Sequence, residues 1–298
     1  METSDLKYYK GFFTPFFDIV ETEFDKFSYE ITKKGTPHFK SLIKASFVKC
    51  FQFNYHNSRP KDFKDSFFLL GTLRSICEDL ISLCFLKKLK ASEREELIQF
   101  NLNLDITKNL IVQDVFFKKY NPGQIVINAE KYASAEYIEF VKNKPTNRKK
   151  ASTKGYKIYP SVFQMAKETN YLDLYNYLYY ATSSLVHFRA DTLLKMGWNK
   201  EPEDYKIGKY HYSVNNYYHY YSKFNLTYGS LLFCEYVKKF KKELDLPKYL
   251  STETKYFRNS FDLFDWPEIM THAHMNSKEP SEIDKQLQRS YYVVKNLR

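Results

Sequence analysis

The sequence predicts an all-α protein, a multi-helix bundle with long antiparallel helices and an irregular C-terminal arm. Only 8 Gly and 10 Pro occur in 298 residues, and turn signals this sparse do not suit a many-stranded sheet. Apolar residues recur at spacings of three and four, which is the period of a helix with one buried face. The hydrophobic fraction of 43% is enough to build a substantial core.

The helices follow from runs of this period between turn signals. We predict helices over residues 6–32, 37–55, 61–90, 92–120, 129–142, 161–168, 172–196 and 214–244. A break is expected near Pro15, because proline removes one helical hydrogen bond. Ser92 and Glu95 have the spacing of a capping box, in which each side chain bonds the other's backbone amide. They predict the start of the fourth helix.

The chain divides into a helical body over residues 1–245 and an arm over residues 246–298, which is punctuated by prolines. The clearest polar motifs lie within residues 61–196 of the body. A polar, turn-rich and basic segment over residues 143–157 is predicted to be an exposed loop. Its Arg148, Lys149 and Lys150 are candidate binding residues for an anionic ligand.

The charge balance favours anionic partners. The formal net charge is +11 and the pI is about 9.1, so nucleic acid is the first candidate partner. The alternative is that lysine-rich faces only keep an aromatic-rich protein in solution. No apolar run approaches the roughly 18 residues that cross a bilayer, and the N-terminus lacks a signal-peptide pattern. We therefore expect a cytoplasmic protein without a membrane partner.

The four cysteines lie in apolar surroundings and form no CxxC pair, so they indicate small core residues rather than disulfides or a zinc site. His272 and His274, with Glu268 one turn earlier, are a weak candidate metal cluster, because histidines two residues apart do not share a helix face. We predict no metal and no cofactor. Gly-rich phosphate loops, GxSxG and HExxH motifs are absent from the sequence.

Two polar groups interrupt otherwise apolar helices. In the helix over 61–90, Arg74 and Glu78 are four residues apart, which places them on one face. Burying such a pair costs several kcal/mol per ion unless hydrogen bonds compensate, so the pair needs a structural or a functional reason.

The second polar group lies in the helix over 172–196. Tyr180, Ser183, Ser184 and His187 are spaced by three and four, and Asp191 follows His187 by one turn. Asp191 would orient the His187 ring and leave its other nitrogen facing a substrate. Together these residues offer a base, hydroxyl groups and a carboxylate.

If the two helices pack together, the sequence predicts a site for phosphodiester cleavage. Arg74 would bind a phosphate, His187 would act as general acid or base, and Glu78 would orient either of them. RNA suits such a metal-free site because its 2′-hydroxyl is an internal nucleophile. The alternative is that the same polar network only specifies helix packing.

A third candidate surface is the aromatic segment over residues 210–221, YHYSVNNYYHYY. Its rings could stack the bases of single-stranded nucleic acid. The alternative is a helix-packing face within the core.

The motifs LRSICEDL and YNYLYYATSSLVH resemble DUF5677, a bacterial helical family of unknown function with an Arg-x-x-x-Glu helix and a later Ser-x-x-x-His helix. The resemblance covers about residues 61–196, and Arg74, Glu78, Ser183 and His187 are the positions that match. Such proteins are similar in helical character to HEPN-type ribonucleases of toxin and antiphage defence systems. The usual HEPN signature places Arg four to six residues before His on one helix, a spacing absent from this sequence. The Arg and the His would therefore have to converge from different helices.

The sequence thus gives two hypotheses. In the first, the chain is an RNA-directed, metal-independent endoribonuclease of a bacterial defence or toxin system. Its predicted catalytic residues are Arg74, Glu78, Ser183 and His187, and its predicted binding residues are Tyr180, Ser184, Asp191, Arg148, Lys149 and Lys150. In the second, it is a non-catalytic helical module that binds a protein partner or forms a homodimer, and the polar network is structural.

Overall fold

A computed structural model describes residues 4–28, 37–59, 65–127, 130, 133–142, 159–186, 190–198, 209–263 and 265–270. The helices are α1 (Ser4–Ser28), α2 (His38–Ser58), α3 (Ser66–Lys88), α4 (Ala91–Tyr120), α5 (Ala135–Lys142), α6 (Val162–Thr169), α7 (Leu172–Val186), α8 (Ala190–Leu194), α9 (Tyr218–Phe240) and α10 (Lys248–Asn259). A 3₁₀ turn follows at Ser260–Leu263. Strands β1 (Gly197–Trp198) and β2 (His211–Tyr212) form one short antiparallel pair.

The predicted all-α multi-helix fold is confirmed. In the part of the chain that the structure describes, no helix is long and apolar enough to cross a membrane. The chain forms two compact units. The first unit comprises residues 1–30, 44–80 and 173–298, and the second comprises residues 31–43 and 81–172.

The first unit has a core of aromatic rings from α1, α9 and α10. Phe17 is fully buried and its ring centroid lies 5.5 Å from that of Phe233, while Phe16 stacks on Phe257 at 3.9 Å. The break expected near Pro15 is wrong, because α1 continues through it. Burial of each such ring contributes about 1.5–3 kcal/mol, which together offsets the roughly 3 kcal/mol cost of a proline inside a helix.

Helix α9 is the most buried helix of the first unit, and it packs closely against α2. The Asn54 side chain is fully buried and donates through Nδ2 to the carbonyl oxygen of Gly229 at 3.0 Å. Tyr236, also fully buried, contacts the Ser46 hydroxyl and donates to the carbonyl oxygen of Ile76 at 3.3 Å. The side chains of Asn54, Ser46 and Tyr236 are therefore hydrogen-bonded inside the core, as burial favours.

The second unit shows why the capping box predicted at Ser92 and Glu95 is wrong. The N-cap of α4 is Lys90, and no side chain caps this helix start. The Glu95 carboxylate instead accepts the backbone N–H of His38 at 2.8 Å and that of Phe39 at 3.3 Å. Glu95, which lies in the first turns of α4, thus caps the N-terminus of α2. The helix dipole also favours a carboxylate at that end.

The predicted C-terminal arm, residues 246–298, begins with a helix. Leu250 and Phe257 of α10 are buried, because this stretch has one apolar face that packs on α1 and α9. Residues 265–270 follow without regular structure. There Pro267 offers its carbonyl oxygen to two tyrosine hydroxyls, that of Tyr177 at 2.9 Å and that of Tyr228 at 2.7 Å. Residues 271–298 lie outside the described residues.

All four cysteines are buried and unbridged, as predicted from their apolar surroundings. Burial raises the pKa of the Cys77 thiol to about 12, with smaller contributions from Glu78 and Asp79. Burial also raises the pKa of Cys50 and Cys234. These thiols are therefore protonated at neutral pH and inert while the protein is folded.

We expect two consequences of this burial. A thiol reagent should leave the folded protein unmodified at neutral pH and should modify it in denaturant.

The free energy of unfolding should also depend on pH. Above the unfolded thiol pKa of about 8.5, the cysteine loses its proton in the unfolded state but keeps it in the folded state. Ionisation therefore favours the unfolded state, and the free energy of unfolding falls as pH rises. Urea titrations near pH 9.5 should therefore show a loss of about 1 kcal/mol that depends on Cys77. An unchanged pH dependence in Cys77→Ala would contradict this assignment.

Candidate functional site

Arg74 and Glu78 form an ion pair on α3, in the first unit. Arg74 Nε donates to Glu78 Oε1 at 2.8 Å, and the two side chains are only 19% and 29% exposed. Their four-residue spacing already placed them on one helix face. The pair is therefore partly withdrawn from water, yet one edge of it is open to solvent.

The Arg74 guanidinium also contacts α7. Its Cζ lies 4.4 Å from the ring centroid of Tyr179, a geometry in which the ring face attracts the cation. This contact brings α3 beside the helix that carries the second predicted polar group. The convergence of these two helices was required by the sequence hypothesis, and it occurs at the Arg74 side chain.

One nitrogen of Arg74 has no hydrogen-bond partner among the described residues. Arg74 Nη1 is buried and makes no hydrogen bond to the described residues. A buried donor without an acceptor costs about 1–3 kcal/mol, and more when it is charged. The guanidinium thus has spare donor capacity, and an oxyanion is the ligand that a guanidinium fork fits best.

Tyr175 supplies a hydroxyl near the ion pair. Its ring lies 5.5 Å from that of Tyr179. Burial and then the negative charge of Glu78 raise the pKa of Tyr175, whereas Arg74 lowers it. The net shift is upward, so Tyr175 remains a neutral hydroxyl at physiological pH and can donate a hydrogen bond.

Ser183 follows Tyr179 by four residues in α7 and so lies one turn further along the same helix face. It is buried, with 8% exposure. Tyr180 is 65% exposed and lies on a different face. By helix geometry Ser183 therefore shares the face of α7 that carries Tyr179, whereas Tyr180 does not.

Several predicted site residues lie outside the described residues. These are His187, Arg148, Lys149 and Lys150, together with His272 and His274. The side chains of Ser184 and Asp191 are also outside the description, although their backbones lie in α7 and α8. Among the residues that are described, no three His, Cys, Asp or Glu side chains lie close enough to share a metal ion.

The aromatic segment over 210–221 is mostly packed against the protein. Tyr221 is 6% exposed and its ring lies 5.4 Å from that of Phe67. The Tyr220 hydroxyl donates to the carbonyl oxygen of Glu268 at 2.5 Å, whereas Tyr212 is 61% exposed. These contacts favour the packing interpretation of the segment over base stacking.

The sequence interpretation missed Tyr175 and Tyr179, the aromatic residues beside Arg74. The signal was present, because Tyr175, Tyr179 and Ser183 are each four residues apart and continue the spacing of Ser183 and His187. The sequence hypothesis gave neither tyrosine a role. Their role beside Arg74 depends on which face of α7 meets α3, and local sequence does not specify this.

The comparison with known proteins agrees with the family resemblance. No curated protein and no solved structure matches the chain. Residues 69–205 match the model of a family described as a family of unknown function, DUF5677. This range contains α3 with Arg74 and Glu78, and α7 with Tyr179 and Ser183. Over residues 69–205, the chain is therefore similar to the DUF5677 family.

Proposed function

We propose that the protein is an RNA-directed, metal-independent endoribonuclease that acts in a bacterial defence or toxin system. The observation that carries this proposal is the Arg74 guanidinium. It packs on Tyr179, is held by Glu78 and retains a buried nitrogen that no described residue hydrogen-bonds. A phosphate oxygen is the chemical complement of a guanidinium donor, and the net charge of +11 favours a polyanion that carries many phosphates.

In the proposed reaction, Arg74 binds the non-bridging oxygens of the scissile phosphate, while Glu78 fixes the guanidinium through Nε. His187 takes the proton from the ribose 2′-hydroxyl, and the 2′-oxygen forms a bond to phosphorus. The bond from phosphorus to the 5′-oxygen breaks, that oxygen takes a proton from a water molecule, and His187 returns its proton to solvent. The products are a 2′,3′-cyclic phosphate and a 5′-hydroxyl end. Ser183 and Tyr175 contribute hydroxyl groups for positioning on the same side of α7.

The second candidate function is a helical interaction module without catalysis. The low exposure of Ser183 favours it, because a buried serine can serve packing alone. In this reading the ion pair and the Tyr179 contact cross-link α3 and α7, and the buried polar residues specify a single packing arrangement.

RNA cleavage in the presence of EDTA distinguishes the two functions. We expect the full chain to cut single-stranded RNA and to leave 2′,3′-cyclic phosphate ends. His187→Ala should lower the cleavage rate by about a hundredfold or more, as loss of a general base does, with an unchanged thermal midpoint. His56→Ala, at an exposed position of α2, is the matched control and should cleave normally.

Binding of RNA without cleavage would contradict the enzymatic proposal and leave an RNA-binding module. Absence of both binding and cleavage would favour the protein-interaction module. A loss of fold in His187→Ala would indicate a structural role for that residue, in which case His187→Gln and His187→Asn provide the second measurement of the rate.

A further inference from the structure

An exposed seam runs along α4, in the second unit, and is separate from the Arg74 site. Its residues recur in alternating steps of three and four, and all six are exposed: Leu102, Asp105, Asn109, Val112, Phe116 and Lys119. Val112 is 67% exposed and Phe116 is 52% exposed. Residues at alternating steps of three and four lie along one side of a helix. In coiled coils, the residues at this spacing form the surface that contacts the partner helix.

The opposite face of α4 already has its partner. Leu104 is buried against Val141 of α5, and Phe100, Ile111 and Tyr137 pack around them. The face of α4 around Leu104 is therefore covered by α5, whereas the seam is exposed. Tyr120, 64% exposed, extends the apolar surface beside the seam, and its ring lies 4.8 Å from that of Phe116. An apolar, aromatic surface of this kind on a solvated helix marks an interaction site.

The charged residues of the seam are arranged so that a second copy of α4 would complement them. Asp105 precedes Val112 by seven residues and Lys119 follows it by seven, so opposite charges stand two turns to either side of Val112. Among the described residues, neither Asp105 nor Lys119 has an ion-pair partner, whereas neighbouring Lys118 pairs with Asp114 at 2.7 Å. A second copy of α4, running antiparallel about a twofold axis near Val112, would place each Asp105 beside the other copy's Lys119.

We propose that two copies of this chain associate through the α4 seam in an antiparallel helix pair. A twofold interface uses the same surface on both copies and must complement itself, and the seam has this property. A parallel pair would instead oppose Asp105 to Asp105 and Lys119 to Lys119. From Leu102 to Tyr120 the helix is roughly 27 Å long, which suits an interface at the small end of the specific range. This association is independent of the proposed RNA cleavage.

The test is sedimentation velocity of the full chain over a range of concentrations, with charge-reversal variants. The wild type should show a reversible monomer–dimer equilibrium. Asp105→Lys and Lys119→Asp should each raise the dimer dissociation constant about tenfold or more, because like charges then meet. The double variant Asp105→Lys with Lys119→Asp should return it close to the wild-type value, since both contacts regain opposite charges.

Phe116→Glu should abolish the dimer, because it replaces the largest apolar side chain of the seam, one turn from the twofold axis, with a charge. The matched control is Phe68→Glu, which changes a phenylalanine on α3 that is 63% exposed and should leave the dimer intact. A monomeric wild type, or a double variant no tighter than the single variants, would overturn the proposal. Binding of the wild-type monomer to anionic phospholipid vesicles through Phe116 would also overturn it and assign the seam to a lipid surface.

Discussion

Gly229→Ala is expected to destabilise the protein by about 3 kcal/mol, through overpacking and the loss of a buried hydrogen bond. A Cβ atom at this position would lie 2.6 Å from Asn54 Oδ1 and 2.6 Å from Phe53 Cε1. Phe53 and Asn54 are 5% and 0% exposed, so neither side chain can turn out to solvent. The required shift would also disturb the hydrogen bond from Asn54 Nδ2 to the Gly229 carbonyl oxygen.

The matched control is Gly11→Ala in α1, where an added Cβ meets no atom within 4 Å. Both glycines are inside helices, and alanine is favoured there over glycine by about 1 kcal/mol. Gly11→Ala should therefore be neutral or slightly stabilising in urea unfolding. If the two variants changed the free energy of unfolding equally, the close approach of α2 and α9 at Gly229 would be contradicted.

Arg74→Ala is expected to lower RNA affinity and cleavage by roughly 10- to 150-fold, corresponding to hydrogen bonds with a charged group. Arg74→Lys should restore part of this loss, because lysine keeps the charge but does not present the planar fork that binds two phosphate oxygens. Fluorescence anisotropy with labelled single-stranded RNA measures the affinity. The salt dependence of binding should also become less steep in Arg74→Ala, since one phosphate contact is removed.

The control for charge is Lys238→Ala. Lys238 pairs with Glu235 at 3.3 Å and its side chain is 68% exposed, so this variant removes the same formal charge from a solvated helix surface. RNA affinity should stay close to that of the wild type. Equal losses in both variants would show that RNA responds only to net charge, and a wild-type affinity in Arg74→Ala would remove Arg74 from the proposed site.

The helices could be predicted from the sequence because their apolar residues have a helical period and turn residues are rare. The structure differs from the sequence prediction mainly where contacts between residues far apart in the chain override a local signal. Glu95 has the local spacing of a capping box, yet its carboxylate caps α2. Pro15 is a local signal for a break, and the packing of Phe16 and Phe17 overrides it. In each case tertiary contacts contribute more free energy than the local preference.

One contact of the candidate site could be expected from the sequence. The four-residue spacing of Arg74 and Glu78 was sufficient to expect their ion pair, because a helix fixes the distance between such positions. The contact with Tyr179 could not be derived in this way. It depends on the rotation of α7 against α3, which the packing of the whole unit determines.

The sequence by itself therefore determined the helical class, the burial of the cysteines and the pairing of Arg74 with Glu78. These follow from periodicity and local geometry. Only the tertiary structure decided that Arg74 stacks on Tyr179, that its Nη1 meets no acceptor in the described part of the chain and that the α4 seam is exposed. Spacing along one helix specifies which residues share a face, but the other elements of the fold determine which faces are covered.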